Sequence, residues 1–519
     1  MISCNELAAL YHDDTEFAVV DPRAPAVYAR GHLLAANNMP FSRLEIDAQR
    51  LLPCRSVLVV ITGDTPAETR RCSEILGTLG YRNLKSLEGG LSAWVLSGRV
   101  LFSGSNVLSK AFGEYVEHHC RTPSLGASEL HDWQNRQRRF LLLDGRTLEE
   151  HQNYCIPGAV HCANGDLPRA VAGLSLDEEM PVVVHCAGRT RSIIGAQTLR
   201  DNGVKNPVYA LRNGTLDWQF AGLELEHGAN RSYALPDPAK CRETTARLEQ
   251  RAQAAGIERV DPGTIALWRS DPERTLYLFD VRAWKEFRSG TLSGAVNAPG
   301  GQLVQATDKY IGVRNARIVL LDDDNLRARS TALWLQHMGL RHIFTCTPDP
   351  ADLAAAITGD PPWPEPSLDP GAFSSRIKGN DVMAIDLRGS ASYVEGHVPG
   401  SAWLSRQAPD YFETLPRDKK FALITDMPSM AALVCKEMHT HGLDVVTLAG
   451  GMQSWLDQGY LTTDKNPKFL CDPDDFVPDP DYFQDPVIAA REGKRYLRWE
   501  IELLELTTGD PAARFDISY

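Results

Sequence analysis

Residues 141–146 read Leu141-Leu142-Leu143-Asp144-Gly145-Arg146, a short apolar strand that ends in aspartate, one spacer and arginine. The pattern returns in Phe17-Ala18-Val19-Val20-Asp21-Pro22-Arg23, in Leu276-Tyr277-Leu278-Phe279-Asp280-Val281-Arg282 and in Val382-Met383-Ala384-Ile385-Asp386-Leu387-Arg388. A glycine-bearing turn follows each one, at Gly31-His32, Ile156-Pro157-Gly158-Ala159, Leu292-Ser293-Gly294-Ala295 and Gly396-His397-Val398-Pro399-Gly400. A second apolar strand then recurs at Val57 to Ile61, Val182 to His185, Ile318 to Leu321 and Phe421 to Ile424. The residue after it is Thr62, Cys186, Asp322 or Thr425, lying 41, 42, 42 and 39 positions beyond the motif aspartate. A loop and a helical stretch come next, such as Ser192 to Asn202 before Gly203, where glycine takes the positive φ of a helix end without strain.

Three repeats close on a glycine turn and a tryptophan: Gly89-Gly90 to Trp94, Gly214 to Trp218 and Gly450-Gly451 to Trp455. The third offers Thr345-Cys346-Thr347-Pro348 instead. Continuous apolar strands alternating with helices point to an α/β class, with small parallel sheets covered on both faces. Four tandem domains are expected, at 1–105, 121–232, 257–360 and 365–465, followed by a tail over 466–519. Leu108 to His119 and Ala239 to Ala255 read as helical connectors. In the tail, Asp472 to Asp485 is acidic and dotted with proline, and Asp485-Pro486 is a good helix start. The stripe Tyr496, Trp499, Leu503 and Leu506 is expected to dock on the chain's own domains rather than on a second subunit in a homodimer.

Composition narrows the function. The chain has 519 residues, a net charge of −13, 43% hydrophobic and 23% charged residues. That balance fits a multidomain soluble protein and argues against sequence-independent nucleic-acid binding, which needs basic clusters. No apolar run approaches the roughly 18 residues of a membrane span, and Met1 to Glu16 lacks a signal-peptide pattern, so a cytoplasmic location is expected. Eleven scattered cysteines without a Cys-x-x-Cys pair read as neither a disulfide framework nor a metal site.

The Asp-x-Arg, Gly-His or Pro-Gly-Ala, strand-loop-helix and Gly-Gly-x-x-x-Trp series resembles the rhodanese family. Four repeats and a tail are similar in order to the bacterial multidomain sulfurtransferases of that family. The resemblance implies an open parallel sheet flanked by helices, with the reactive loop at a strand's carboxyl end, where ligands of open α/β sheets bind.

Only the second repeat carries a cysteine there, in Val182-Val183-Val184-His185-Cys186-Ala187-Gly188-Arg189-Thr190-Arg191-Ser192. Loop N–H groups converging on such a sulfur, the positive helix end and two nearby arginines favour thiolate over thiol. The same cradle, Ala187 to Ser192, suits an anion. The resemblance implies that a donor such as thiosulfate sits against Arg189 and Arg191 and leaves a persulfide on Cys186. An acceptor (cyanide, sulfite or a thiol) then removes the outer sulfur, with no metal or organic cofactor. Cys186 to Arg191 is Cys-x4-Arg, as in sulfurtransferase loops, whereas the rhodanese-like phosphatases use Cys-x5-Arg and Ser192 stands at that place. The loop also departs from the Cys-Gly-Ser/Thr-Gly-Val-Thr pattern of mercaptopyruvate sulfurtransferases, which favours thiosulfate.

Asp144 and Arg146 are read either as a support for the loop or as a structural ion pair, because Asp-x-Arg persists in the repeats without cysteine. Cys155 and Cys162 flank the Pro-Gly-Ala turn and are candidates for resolving the persulfide, while His161 and His185 are read as packing or hydrogen-bonding residues. Cys72 and Cys435 fit core positions of the following helices. The rival from another class is a non-catalytic scaffold in which Cys186 is a redox or persulfide sensor.

Overall fold

The structure, a computed structural model, describes residues 1–517 apart from 172, 174–176, 355–360, 409–410, 479–481 and 484. The expected end of the third domain, over 355–360, and part of the acidic stretch of the tail therefore lie outside the described residues. Among the described residues four five-stranded sheets follow one another along the chain, with a two-stranded pairing of Thr291–Leu292 and Leu353–Ala354 beside the third, and each of the four long apolar strand pairs lies at the centre of its sheet. In the second unit the order is Ser124–Leu125, Val208–Leu211, Val182–His185, Leu141–Asp144, Val160–His161, all parallel. The third and fourth units repeat this order and direction. Strand Val182–His185 is buried throughout because helices cover both faces, and so its sequence is a continuous apolar run. Adjacent parallel strands place the Asp-x-Arg turn and the loop at Cys186 side by side on the carboxyl edge, with Asp144 paired to His185.

The first sheet departs from the expected pattern. Val313–Arg314 of the third unit pairs antiparallel with Phe17 and Ala18, extending the edge where Asn37–Asn38 covers only the other end of strand Phe17–Asp21. Tyr277 reinforces this junction by donating to the Leu51 carbonyl at 2.6 Å and accepting from Gly312 and Val313. Units one and four meet through Arg406, which pairs with Glu45 and Glu437. Units two and three meet through Trp334, whose ring N–H donates to Thr198 Oγ1 at 2.9 Å, and through Arg327 with Asp166. One apolar core runs through units one, two and three into the tail at Leu503, Ala512 and Ile517, while the fourth unit has cores of its own.

The connectors form helices Val107–Cys120 and Arg242–Ala254. The tail helix Pro486–Leu506 docks on the chain itself, beginning at an Asp485 cap that accepts from Val487 and Ile488. Its Gly493 lies against the Phe220 ring of the second unit, Tyr496 meets Lys110 and Leu503 is fully buried, whereas Leu506 stays exposed. No helix among the described residues is long and apolar enough to cross a membrane.

Candidate active site

Cys186 follows the buried strand Val182–His185 directly and is itself only 2% exposed. Its carbonyl accepts from the Thr215 amide at 2.9 Å, and the Ala187 carbonyl accepts from Leu216 at 3.1 Å. The loop's oxygens are thus tied to the helix Gly214–Phe220. That contact explains the glycine of the Gly-x-x-x-Trp ending: Gly214 has φ +53°, and a Cβ there would lie 2.1 Å from the Cys186 carbonyl oxygen. Gly90 and Gly451 meet the corresponding loop carbonyls of Gly63 and Thr425 in the same way. Each tryptophan then donates its ring N–H to a carbonyl six residues on: Trp94 to Val100, Trp218 to Glu224 and Trp455 to Leu461. Gly214→Ala is expected to lower stability by about 3 kcal/mol through this clash, read as a reduced unfolding midpoint. A wild-type midpoint would mean that the two segments do not touch.

The reactive helix Thr190–Asp201 starts at Arg189 without a side-chain cap, which leaves its first N–H groups free of intrahelical partners. The third unit displays what such a loop holds. There Asp322 stands in the place of Cys186, and its carboxylate accepts from the amides of Asp323 at 3.0 Å, Arg327 at 2.8 Å and Ala328 at 3.2 Å. Arg327 also faces it, with Nη1 3.4 Å from Oδ1. Burial pushes the Asp322 carboxyl up and the neighbouring Asp324 and Asp323 add to that shift, while Arg327 opposes it. The matching positions around Cys186 are Ala187, Arg191 and Ser192.

The two arginines of the reactive loop have different roles. Arg191 is buried and forms a fork to Glu150, with both N–O distances 2.7 Å. Against the desolvation that opposes its charge, Glu150 and then Cys186 favour it. Arg327 reaches Glu286, the residue matching Glu150, through a single bond from Nη2 at 3.0 Å. Arg189 corrects the expectation that it faces a donor anion. Its guanidinium is committed to Glu114 at 2.6 and 2.7 Å, Glu117 at 2.5 Å and Asn213 at 3.1 Å, which draw it onto the connector helix. Burial raises Glu114 to about 7. Thr190 donates to Glu500 of the tail helix at 2.8 Å, and Ser192 donates to the Arg189 carbonyl at 2.7 Å. Gly188 lies beside Glu500 and Tyr496. Of the loop expected to hold the donor, the Arg189, Thr190 and Ser192 side chains are thus bound within the chain, and Arg191 faces Glu150.

Asp144 and Arg146 form a structural clamp. In every unit the arginine pairs with its aspartate and extends Nη2 to the carbonyl eight residues on: Gly31, Tyr154, Gly290 or Gly396. The residue seventeen positions after each motif aspartate donates to the arginine's carbonyl, and these residues are Asn38, His161, Asn297 and Trp403. That gives His161 its hydrogen-bonding role. The second unit adds two buried histidines around Asp144, His151 at 2.9 Å and His185 at 3.5 Å, where other units carry apolar or aromatic residues. Despite burial, which opposes ionisation, His185, His151 and Arg146 hold the Asp144 carboxyl well below its ordinary range.

Burial lowers the His185 imidazole to about 4, against about 6.5 in an unfolded chain. Between these values the folded state binds fewer protons, so stability is lost as pH falls from about 6.5 to about 4. His185→Leu, the residue of the third unit, is expected to flatten that part of the curve of unfolding midpoint against pH. An unchanged slope would contradict the assignment.

Cys155 and Cys162 are buried thiols, raised by that burial to about 11 and further still, which removes the thiolate a resolving partner needs. Cys72 and Cys435 sit in helix cores as read from the sequence. In the first and fourth units Thr62 donates to the Val20 carbonyl and Thr425 accepts from the Met427 amide. Sequence reading missed Glu150, His151, Asn164 and Glu500. The matching offset of Glu286 is the signal that could have found Glu150, and the others are fixed by tertiary contacts.

A parallel sheet with this loop at its carboxyl edge, built four times, defines the class of protein. The family model for the rhodanese-like domain matches residues 3–97, 126–221, 266–346 and 369–458, and the chain belongs to the rhodanese-like sulfurtransferase family. The crystal structure of a thiosulfate sulfurtransferase from Pseudomonas aeruginosa is 34% identical, covers 100% of this chain and 99% of that one, and superposes with a TM-score of 0.89. The Bacillus subtilis protein named "Putative sulfurtransferase YtwF" is 28% identical over 86 residues, which is 16% of this chain and 84% of that protein.

Proposed function

We propose that the chain transfers sulfane sulfur from a small anionic donor, thiosulfate, to a nucleophilic acceptor through a persulfide on Cys186, acting in the cytoplasm. The second domain, 121–232, carries the chemistry, and those at 1–105, 257–360 and 365–465, with the tail 466–519, support it. The Cys186 thiolate attacks the outer sulfur of thiosulfate, the donor's S–S bond breaks, and sulfite leaves with the electron pair. Cyanide, sulfite or a thiolate then attacks the outer sulfur of the persulfide, whose S–S bond breaks and returns the thiolate. Neither step needs a metal, an organic cofactor or a general base.

The observation that carries this reading is Asp322. In a loop of the same layout, a side chain at the cysteine's position accepts on its carboxyl oxygens from three amides and faces an arginine. A persulfide extends from its Cβ by two atoms, as that carboxylate does, so its outer sulfur falls where the carboxylate oxygens accept. The cradle favours the charged outer sulfur, and the near-total burial of Cys186 favours a small donor. Full-length protein mixed with thiosulfate and cyanide should form thiocyanate with a rate linear in enzyme concentration. Activity with mercaptopyruvate alone would replace the donor, and activity with neither would favour the sensor reading.

A further inference from the structure

The third domain lacks a nucleophile, yet its degenerate loop is joined to the reactive one by an unbroken set of contacts. Asp322 fixes Arg327 through its amide and its guanidinium. Arg327, nearly fully buried, reaches out of its own unit and donates Nε to Asp166 Oδ1 of the second unit at 2.6 Å. Asp166 closes the single 3-10 turn Asn164–Asp166. Asn164, at the other end of that turn, donates Nδ2 to the Arg191 carbonyl at 2.8 Å, and its own amide donates to the Gly145 carbonyl at 3.2 Å.

Asn164 is wedged tightly. A Cβ on Gly145 would lie 2.2 Å from its Oδ1, one on Gly195 would lie 2.7 Å from the same atom, and one on Gly301 of the third unit would lie 2.9 Å from its Cβ. The side chain therefore touches the Asp-x-Arg turn, the reactive helix and the neighbouring unit at once. The corresponding residues of the other units are Phe41, Gly300 and Arg406, so this wedge belongs to the unit that carries the cysteine.

We infer that Arg327 and Asp166 are positioning residues for sulfur transfer: the third domain's loop, permanently filled by Asp322, holds Asn164 against the Arg191 carbonyl and so fixes the cradle around Cys186. A silent repeat thereby acquires a purpose. A loop that had to bind and release substrate would be filled and emptied in turn, whereas one filled by its own Asp322 side chain keeps Arg327 in place throughout the cycle. This inference rests on the assignment of Cys186 as the persulfide carrier.

The test is the single-turnover rate of persulfide formation from thiosulfate in the full chain, with the unfolding midpoint measured alongside. Asp166→Asn keeps the shape and removes the charge, and Arg327→Lys keeps a charge but cannot bridge Asp322, Asp166 and Glu286 together. Each is expected to slow persulfide formation about tenfold. Glu45→Gln weakens a comparable ion pair between units one and four and should lower the midpoint while leaving the rate within about twofold. Asn164→Ala should slow the reaction similarly, and adding Asp166→Asn to it should cost little more, because both act on one contact. Wild-type rates in both Asp166→Asn and Arg327→Lys, or full additivity with Asn164→Ala, would overturn the inference. If Asp166→Asn does not fold, Arg327→Lys decides. If the wild-type chain forms no persulfide, the assignment of Cys186 fails instead.

Discussion

Cys186→Ser is expected to bring sulfur transfer from thiosulfate to cyanide down to the uncatalysed background, a loss of at least about a thousandfold. Serine keeps the backbone of the site and is only slightly smaller, so the cradle stays assembled. A hydroxyl neither ionises at neutral pH nor departs from a bond to sulfur as a thiolate does. The 2% exposure of Cys186 makes the replacement a buried one, but the smaller oxygen creates no clash, and the unfolding midpoint should move by a few degrees at most. Ten other cysteines remain in the variant. Burial raises Cys72, Cys155, Cys162, Cys346 and Cys435 well above neutrality, so none of these can stand in as the thiolate. Thiocyanate formation followed over a long time course checks the result, and transfer at the wild-type rate would move the site elsewhere.

Arg191→Ala and Arg189→Ala should separate catalysis from stability. Arg191 faces Glu150 and lies five residues beyond Cys186 in the same loop and helix start. Its loss is expected to reduce kcat/KM for thiosulfate about a hundredfold, the usual cost of one anion-stabilising donor. Glu150 is 35% exposed and can rehydrate once unpaired, so the stability cost should stay near 1 kcal/mol. Arg189→Ala instead strands Glu114, which is 5% exposed, and should cost about 2 kcal/mol even if that carboxyl takes up a proton. Its kcat/KM should remain within about tenfold of wild type. Denaturant midpoints and initial rates on the same preparations distinguish the two. Equal effects on rate would mean that Arg189 leaves its carboxylates to meet the donor.

The fold was legible because each unit repeats a strand, turn, strand and helix with near-constant spacing. Continuous apolar runs such as Val182 to His185 arise only where both faces of a sheet are covered. Cys186 stood out because a fourfold repeat offers three other residues at the same position. What the spacing could not convey is the arrangement of units, since the pairing of Val313–Arg314 with Phe17 and Ala18 involves a strand too short to leave a pattern. The residue seventeen positions beyond each motif aspartate escaped notice for another reason. Asparagine, histidine and tryptophan share a single N–H aimed at the same carbonyl, so the geometry repeats while the residue does not.

Charge near the sulfur also misled the reading of Arg189. Two arginines in one loop look equivalent along a sequence, but Glu114 and Glu117 on a connector helix seventy residues away claim the first. Conversely, Asp322, Asp323 and Asp324 would on charge alone repel an anionic donor from the loop of the third unit. In the structure Asp322 occupies the place such an anion would take, and Arg169 and Arg327 balance its neighbours.

The most direct measurement is mass analysis of the intact chain after incubation with thiosulfate and removal of excess donor, followed by localisation on the peptide spanning Val182 to Ser192. One added sulfur atom on Cys186, lost again on addition of cyanide, is the predicted result. A chain whose mass does not change, or a sulfur carried by any other cysteine, would contradict the assignment.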